Sequence, residues 1–377
     1  MTFGKNLLIN VSKIILARPV IDILKTKKIL NKVLKSNYIN EGNQTREFEK
    51  KICKLLKIKY AVTTTSGTVA IFLALKAAGI KKGDEVIIPN ITFPATANAV
   101  DMAGGKVVLA DVNPTNLLID EKSLIKKINR KTKFIIPVHI SGRGGNIRKI
   151  VSLGKKKSIK IIEDAAEALG SKNLGKNLGS FGIAGCFSFA PNKIFTTGQG
   201  GIVVTNNFKL FNKLKRLKDQ GREGPTTGGE DKYVSIGYNF KFTNLQSSLA
   251  LSQIKNFNWR MQKLRDIHKF YLKNIYQNKY FKIINFNINE GELPLWTDVW
   301  CLNRNKLFNY LKSKNIICRY YWKPINTCKP YRSSFKGLLN SKKIQKKMMW
   351  LPSSLDMSIK EQKKVCEKIN LFFSKMR

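Results

Sequence analysis

The segment KYAVTTTSGTVAIFLALKAAGIKKGDEVIIP, residues 59–89, is the strongest indication of the fold class of this chain. It begins with a β-rich apolar run at 59–64, which predicts a strand. The next segment, SGTVAIFLALKAAG (66–79), predicts a helix that ends at Gly79. DEVIIP (84–89) then predicts a second strand, so that strand and helix patterns alternate.

The same alternation continues on both sides of this stretch. Further strands are predicted at 106–111, 133–138, 159–164, 186–190 and 201–206, and helices at 21–36, 45–58, 94–103, 146–157 and 207–219. Near-continuous apolar strands that alternate with helices indicate an α/β fold, with a mostly parallel sheet covered by helices on both faces.

The C-terminal third has a different pattern. It is helical from about residue 244, and after about 280 it predicts strands near 299–303 and 316–321 and helices near 304–314 and 360–375. We therefore expect a large domain at 1–255 and a smaller α+β domain at 256–377. Between the two patterns, EGPTTGGEDKYVSIGYNF (223–240) predicts a long glycine-rich loop.

Composition excludes several classes of protein. The chain has 377 residues, of which 43% are hydrophobic, so a sizeable core is expected and disorder is not. No apolar run approaches the ~18 residues of a membrane span, and the N-terminus does not read as a signal peptide, so we expect a cytoplasmic location. Six scattered cysteines without a C-x-x-C pair, together with only two histidines, predict reduced thiols and no metal site.

The net charge of +45 allows two interpretations. One is nucleic-acid or membrane binding, and the other is compositional drift, in which lysine accumulates without a role. Lysines are spread along the whole chain rather than gathered in one block, which favours drift. We expect no specific nucleic-acid partner, although such a charge would attract a substrate that carries a pyrophosphate.

Polar residues follow several predicted strands, at the sheet edge where α/β proteins bind ligands. Ser66, Gly67 and Thr68 open a helix, where free N–H groups can hold a phosphate, although an ordinary N-cap would also explain Ser66. Asp164 ends a strand and could keep a ring nitrogen protonated, or it could cap a helix. Lys193 follows an apolar strand, and a partly desolvated amine there can form a Schiff base.

Five ordered motifs connect these residues. They are S-G-T (66–68), P-N-I-T-F-P-A-T-A-N (89–98), I-E-D-A-A-E-A (162–168), F-S-F-A-P-N-K-I-F-T-T-G-Q-G-G (187–201) and G-Y-N-F-K-F-T-N-L-Q (237–246). In this order they resemble the DegT/DnrJ/EryC1/StrS family of sugar aminotransferases, and the wording is nearest to its perosamine synthase-like branch. The resemblance implies a type I pyridoxal-phosphate-dependent transferase fold, like that of aspartate aminotransferase.

The resemblance also implies a role for each matching residue. Lys193 would be the Schiff-base lysine, Asp164 would pair with the pyridine nitrogen, and Glu167 would lie near the ring hydroxyl. The remaining cofactor contacts would be ring stacking by Phe93, phosphate binding by Gly67, Thr68 and Ser188, and phosphate binding from the partner subunit by Asn239. Taken without the resemblance, Phe93 could be a buried aromatic and Asn239 a turn residue.

The implied activity is transfer of an amino group, with glutamate as donor, to a nucleotide-linked keto sugar by a homodimer with shared active sites. The motif T-T-G-Q-G-G after Lys193 is more similar to the motif of relatives that act at C4 of a 4-keto-6-deoxy sugar than to the motif of relatives that act at C3. Three positions depart from the family pattern, since Glu167 stands where Gln is common, Gln199 where Glu is usual, and Asn326 where many relatives carry His.

Three rival functions remain for comparison. A dehydratase of the same fold, which uses pyridoxamine phosphate, carries His where this chain has Lys193. A non-catalytic nucleic-acid-binding or regulatory protein would have lost cofactor positions, yet they are present. A nicotinamide dehydrogenase is discarded because GKNLGSFG (175–182) lacks the G-x-G-x-x-G spacing and does not directly follow a strand.

Overall fold

The computed structural model describes residues 13–224 and 229–374. Its strands are β1 (Tyr60–Thr64), β2 (Glu85–Pro89), β3 (Lys106–Ala110), β4 (Thr132–Ile135), β5 (Lys160–Asp164), β6 (Lys172–Asn173), β7 (Lys176–Asn177), β8 (Ala184–Ser188), β9 (Gly201–Thr205), β10 (Arg222–Glu223), β11 (Lys232–Tyr233), β12 (Phe281–Ile283), β13 (Thr297–Cys301), β14 (Arg319–Tyr320) and β15 (Met348–Leu351). Its α-helices are α1 (Ile23–Lys35), α2 (Asn43–Leu56), α3 (Gly67–Ala77), α4 (Ala95–Met102), α5 (Glu121–Lys127), α6 (Ile147–Lys156), α7 (Phe208–Lys218), α8 (Asn244–Ile254), α9 (Phe257–Asn274), α10 (Arg304–Ser313), α11 (Leu339–Ile344) and α12 (Ile359–Ser374).

Parts of three predicted segments lie outside the described residues. They are the beginning of the N-terminal stretch, residues 225–228 of the predicted glycine-rich loop, and the last residue of the helix predicted near 360–375. Within the described part of that loop, β10 pairs with β11 as a short antiparallel hairpin, so the segment is not wholly irregular.

A seven-stranded sheet in the order β1-β9-β8-β5-β4-β2-β3 forms the centre of the chain. The pairs from β8 to β3 are parallel, whereas β9 runs antiparallel to both of its neighbours. The mostly parallel sheet predicted from the sequence is therefore confirmed. Its parallel strands bring their carboxyl ends to one edge, which fixes where ligands can bind.

Both faces of this sheet are covered by helices. In β2, Val86 and Ile88 pack into the core formed with α3 and α4, whereas Ile87 packs with side chains of α5 and α6. Successive strand residues point to opposite faces, so both faces bury apolar side chains. This explains why the strands read as continuous apolar runs rather than as alternating ones.

Helix α3 lies at the centre of one face and directs the chain toward the ligand edge. It begins at Ser66, whose Oγ accepts a hydrogen bond from the N–H of Val69 at 3.2 Å, and the chain turns away at Gly79, where φ is +83°. The helix contacts strands below it and helices α4 and α7 beside it, so nearly all of its side chains are buried. Its N-terminus consequently has a fixed position at the end of β1.

The C-terminal unit contains a four-stranded antiparallel sheet in the order β12-β13-β15-β14. The strands predicted near 299–303 and 316–321 are observed as β13 and β14, shifted or shortened, while β12 and β15 were not predicted. Short apolar runs such as MMWL (348–351) do not distinguish strand from helix by periodicity. The predicted domain boundary at 255/256 falls between α8 and α9. Ile14, which belongs to the predicted large domain, packs in the core of the C-terminal unit. The division into two domains stays a prediction.

Three further findings concern the described residues. No helix among them has the length and apolar character of a membrane span. They contain no group of three or more His, Cys, Asp or Glu side chains arranged to hold a metal ion. All six cysteines lie in this part of the chain, and none is in a disulfide.

Candidate active site

The carboxyl ends of β1, β5 and β8 surround a cavity of about 310 Å³. That volume is at the lower end of the ~300–1,000 Å³ range of small-molecule and cofactor sites. Seven of the eight residues that the sequence analysis selected line this one cavity: Gly67, Thr68, Phe93, Asp164, Glu167, Ser188 and Lys193. The structure therefore brings together side chains from four of the five motifs.

One end of the cavity is formed by the first turn of α3 and by Ser188. The backbone N–H groups of Gly67 and Thr68 precede the first intrahelical hydrogen bond, which Ala70 donates to the carbonyl of Ser66. A Cβ atom on Gly67 would lie only 2.8 Å from the Cβ of Ser188, so the two segments approach closely because position 67 is glycine. Free N–H groups, a helix N-terminus and a hydroxyl suit a phosphate.

Asp164 provides a buried carboxylate on another side of the cavity. Its Oδ2 accepts a hydrogen bond from Thr96 Oγ at 2.7 Å, and its Oδ1 accepts one from the N–H of Ala166 at 3.2 Å. Burial raises the pKa of Asp164, and the two hydrogen bonds and the positive charges of Lys193 and His139 act in the opposite direction. Residues 165–170 form turns, so the alternative role as a helix N-cap is wrong.

Lys193 also lines the cavity, where its amine pairs with Glu167. Its Nζ lies 3.5 Å from Glu167 Oε1 and 5.4 Å from the centre of the Trp296 ring. Burial raises the pKa of Glu167, while the positive charge of Lys193 lowers it. An amine so enclosed, and held by one weak ion pair, is suited to act as a nucleophile and a proton carrier.

Sequence reasoning missed the groups that hold Glu167. Its Oε2 accepts a hydrogen bond from the N–H of Ser141 at 2.8 Å, and Ser141 Oγ donates to Asp298 Oδ1 at 2.8 Å. Asp298 also forms a buried ion pair with Arg143. Ser141 has a φ of 54°, a strained value for serine that these contacts maintain. No sequence motif signals this network, because Asp298 comes from the C-terminal unit.

The outer side of the cavity is aromatic. Phe93 and Trp322 both line it, with ring centres 4.9 Å apart, and the guanidinium of Arg319 lies 4.8 Å from the Trp322 ring centre. Phe93 is 51% exposed, so it is not an ordinary buried aromatic. The sequence analysis did not select Trp322 or Arg319 as site residues. Trp322 lies in YWKP (321–324), just before Asn326, and that segment is the part of the sequence that could have pointed to it.

Besides Glu167, two residues depart from the family pattern, and only one of them lines the cavity. Asn326 is 1% exposed and does not line the cavity; it accepts a hydrogen bond from Asn90 Nδ2 at 3.0 Å and donates to the carbonyl of Ser333 at 3.1 Å. Its segment borders the cavity through Trp322 instead. Gln199 does line the cavity, and its backbone carbonyl accepts a hydrogen bond from Gln246.

Asn239 is the one predicted site residue that lies away from this cavity. It is exposed and forms an isolated antiparallel bridge with Asp219. A residue that serves the cofactor of a neighbouring subunit would be exposed when only one chain is described. The structure describes one chain, so it does not test a contact with a second subunit. Its predicted role therefore stays a prediction.

The cavity fits pyridoxal phosphate by the chemistry of its donors. It combines a seat for a phosphate, a lysine amine, a buried carboxylate without a cation in hydrogen-bonding contact, and an aromatic side chain. Gly67 and Ser188 would hold the phosphate, and Asp164 would receive the protonated ring nitrogen, whose charge would offset the cost of burying that carboxylate. Together the fold and the site define a type I pyridoxal-phosphate-dependent transferase.

The chain belongs to the DegT/DnrJ/EryC1/StrS aminotransferase family, which it matches over residues 22–370. It is 33% identical to GDP-perosamine synthase from Escherichia coli O157:H7, with 93% of this chain and 96% of that protein covered. It is 32% identical to UDP-4-amino-4,6-dideoxy-N-acetyl-beta-L-altrosamine transaminase from Campylobacter jejuni, with 92% and 94% covered.

A solved structure supports the same assignment. Helicobacter pylori PseC, an aminotransferase involved in the biosynthesis of pseudoaminic acid, superposes with a TM-score of 0.90 at 27% identity and covers 96% of this chain and 100% of its own. The predicted family, fold class, aminotransferase activity and pyridoxal phosphate cofactor are confirmed.

Proposed function

We propose that this chain transfers an amino group, supplied by glutamate, to C4 of a nucleotide-linked 4-keto-6-deoxy sugar. The observation that carries the proposal is the single cavity that Lys193 shares with Asp164 and the Gly67–Ser188 phosphate seat. A sugar dehydratase of this fold would have His at position 193, and nothing in the cavity favours that reaction over transamination.

The substrate class is supported by the relatives and by the cavity rim. Both curated relatives are named for nucleotide-linked amino sugars, one with GDP and one with UDP, and the name of the Campylobacter protein puts an amino group at carbon 4. In this chain the exposed Arg319 lies at the cavity and offers a positive charge to an anionic substrate. Since the two relatives differ in their nucleotide, we assign only the sugar class to the substrate of this chain.

Each residue of the site has a distinct task in this reaction. When bound, the cofactor supplies an electron-withdrawing ring that stabilises negative charge on the substrate carbon. Asp164 holds the ring nitrogen in its protonated form, and Lys193 Nζ takes a proton from one carbon and returns it to another. Positioned proton transfer of this kind typically contributes ~100- to 10,000-fold to the rate. Phe93 and Trp322 provide an aromatic surface at one side of the cavity.

We also propose a homodimer in which Asn239 reaches the phosphate of the neighbouring site. The exposed position of Asn239, outside the cavity of its own chain, supports this arrangement. The cytoplasmic location expected from the sequence stays a prediction.

The test is incubation of the purified full chain with pyridoxal phosphate, glutamate and a panel of 3-keto and 4-keto-6-deoxy nucleotide sugars. Mass spectrometry detects the amine, and NMR locates the nitrogen on the sugar. Amination of only a 4-keto sugar is expected. Turnover of only the 3-keto substrate would show that the C4 assignment is wrong, and a dehydrated product without nitrogen would show that the reaction class is wrong.

A further inference from the structure

We propose that His139 is a doubly protonated positioning residue which, together with Glu163, holds Asp164 in place and in its ionised form. The inference rests on the proposed role of Asp164 as the partner of the cofactor ring. His139 does not line the cavity, whereas its neighbours Val138 and Ile140 do. It therefore acts through Asp164 and not on the reacting atoms.

The ring of His139 lies between two hydrogen-bond acceptors. Its Nε2 is 2.8 Å from Glu163 Oε2, and its Nδ1 is 3.0 Å from the backbone carbonyl oxygen of Arg143. A carbonyl oxygen can only accept, so Nδ1 carries a hydrogen atom. The remaining question is whether the proton between Nε2 and Glu163 belongs to the histidine or to the carboxyl group.

The other contacts of Glu163 decide that question. Its Oε2 accepts a further hydrogen bond from the N–H of Gly179 at 2.8 Å, and its Oε1 accepts from the N–H groups of Phe181 at 2.6 Å and Gly182 at 2.7 Å. A carboxylate that accepts three backbone N–H groups is stabilised as the anion. The proton therefore stays on Nε2, and His139 is an imidazolium that is 1% exposed beside a carboxylate that is 0% exposed.

This buried pair connects the segments that form the cavity. The backbone N–H of His139 donates to the carbonyl of Asp164 at 2.9 Å, and the N–H of Asp164 donates to the carbonyl of Pro137 at 3.0 Å. Glu163 also fixes the 179–182 turn, which leads directly into β8 and its last residue, Ser188. The pair thus sets the relative positions of Asp164 and the phosphate seat.

The charges around His139 agree with this role. Glu163 contacts the ring from β5, the positive charge of His139 acts to lower the pKa of Asp164 on the same strand, and Arg143, on the loop of His139, is paired with Asp298. On its other side is a separate cavity of about 400 Å³, bordered by His139 and by the charged residues Asp120, Glu121 and Lys122. A positive charge next to two carboxylates offsets part of the cost of burying the charge of Asp164.

The chain offers a direct test because it contains only one other histidine, His268. His268 is buried, and no carboxylate in the described part of the chain pairs with it; its Nδ1 contacts Thr297 Oγ at 3.2 Å, and burial lowers its pKa to about 3. The full chain, labelled with ¹⁵N-histidine, should therefore show one imidazolium and one neutral ring at neutral pH. The variant His268→Gln assigns the remaining signals to His139.

The spectrum needs neither substrate nor turnover, so it separates this inference from the proposed function. Two protonated nitrogens on His139 are expected at neutral pH. A bare ring nitrogen on His139 would overturn the inference, whatever the enzyme aminates.

A variant tests the positioning role. His139→Gln can still donate to Glu163 but carries no charge, so we expect pyridoxal phosphate to bind about tenfold more weakly. We also expect kcat to fall about as much, while KM for the nucleotide sugar is unchanged. His268→Gln is the matched control and should leave both quantities unchanged. Equal cofactor affinity in His139→Gln and the wild type would contradict the positioning role, and if His139→Gln does not fold, the wild-type spectrum still decides the charge.

Discussion

The Nζ atom of Lys193 lies 3.5 Å from Oε1 of Glu167, and both side chains are enclosed in the cavity. The other oxygen of Glu167 is held by the backbone of Ser141, whose hydroxyl in turn contacts Asp298 in the C-terminal unit. The position of the reactive amine is therefore connected to the C-terminal unit by two hydrogen bonds and one ion pair. Substitutions far from Lys193 in the sequence can consequently change its reactivity.

Replacing Lys193 with alanine should abolish turnover and the covalent attachment of pyridoxal phosphate after borohydride reduction. The reason is that Lys193 contributes the lysine amine among the residues that line the cavity. Mass spectrometry of peptides from the reduced protein measures the attachment. Lys156→Ala, an exposed lysine at the end of α6, is the matched control and should behave as wild type. An adduct on a different lysine would contradict the assignment.

Replacing Gly67 with alanine should weaken binding of pyridoxal phosphate by about tenfold or more, because hydrogen bonds to charged groups are worth ~1.5–3 kcal/mol and the new Cβ would displace Ser188. That Cβ would lie 2.8 Å from Ser188 Cβ. Absorbance or fluorescence titration of the cofactor gives the affinity. At Gly229 an added Cβ meets no atom within 4 Å, so Gly229→Ala should bind normally. Unchanged affinity in Gly67→Ala would show that the phosphate binds elsewhere.

Removing Trp322 should impair use of the sugar more than binding of the cofactor. Trp322 packs against Phe93 at the outer side of the cavity, with ring centres 4.9 Å apart. We expect Trp322→Ala to raise KM for the nucleotide sugar by about tenfold, because a lost aromatic contact and its buried area are worth ~1–3 kcal/mol. Steady-state kinetics measures this change. A variant with unchanged KM but a lost cofactor would place Trp322 in cofactor binding instead.

Subunits that are inactive for different reasons should restore activity when mixed. If Asn239 serves the neighbouring site, a heterodimer of Lys193→Ala and Asn239→Asp chains contains one intact site, since both defects fall in the other site. Activity after subunit exchange, measured against each variant alone, tests this. Absence of recovery, with exchange demonstrated by native mass spectrometry, would argue against shared sites.

Stability should depend on pH through His268. Its pKa falls from an ordinary value of 6.5 to about 3 in the folded chain because of burial, and the nearby charge of Arg143 adds to the effect. The unfolded chain therefore binds a proton that the folded chain does not, so this contribution is present above pH 6.5 and is lost as the pH falls toward 3. The slope is at most ~1.4 kcal/mol per pH unit.

Urea unfolding at two pH values isolates this contribution. Between pH 7 and pH 5 the wild type should lose about 2 kcal/mol more of its free energy of unfolding than His268→Gln does. Carboxylates that titrate in the same range contribute equally to both proteins, so the difference between the two losses reports on His268 alone. Equal losses in the two proteins would show that His268 is accessible to protons in the folded state.

The fold class and most of the cavity residues could be predicted from the amino-acid sequence. Apolar strands alternating with helices require a parallel, doubly covered sheet, and the carboxyl ends of such strands meet at one edge. Asp164 ends a strand and Gly67 opens the helix after one, so their positions in the chain predicted this edge of the sheet, whereas Ser188 was predicted only through the family resemblance. The motif around Lys193 added the chemistry. Short strands such as β12 and β15 were not predicted, because a run of three or four residues is too short to show a hydrophobic period.

The contacts that hold these residues in place could not be predicted from the sequence. Arg143 and Asp298 are 155 positions apart, and Asn90 and Asn326 are 236 apart, so no local pattern pairs them. His139 and Glu163 are closer along the chain, but the sequence does not show that both point away from the cavity and toward each other. A buried polar side chain needs a hydrogen-bond partner within about 3 Å. Which residue becomes that partner depends on how the whole chain packs and not on the neighbouring sequence.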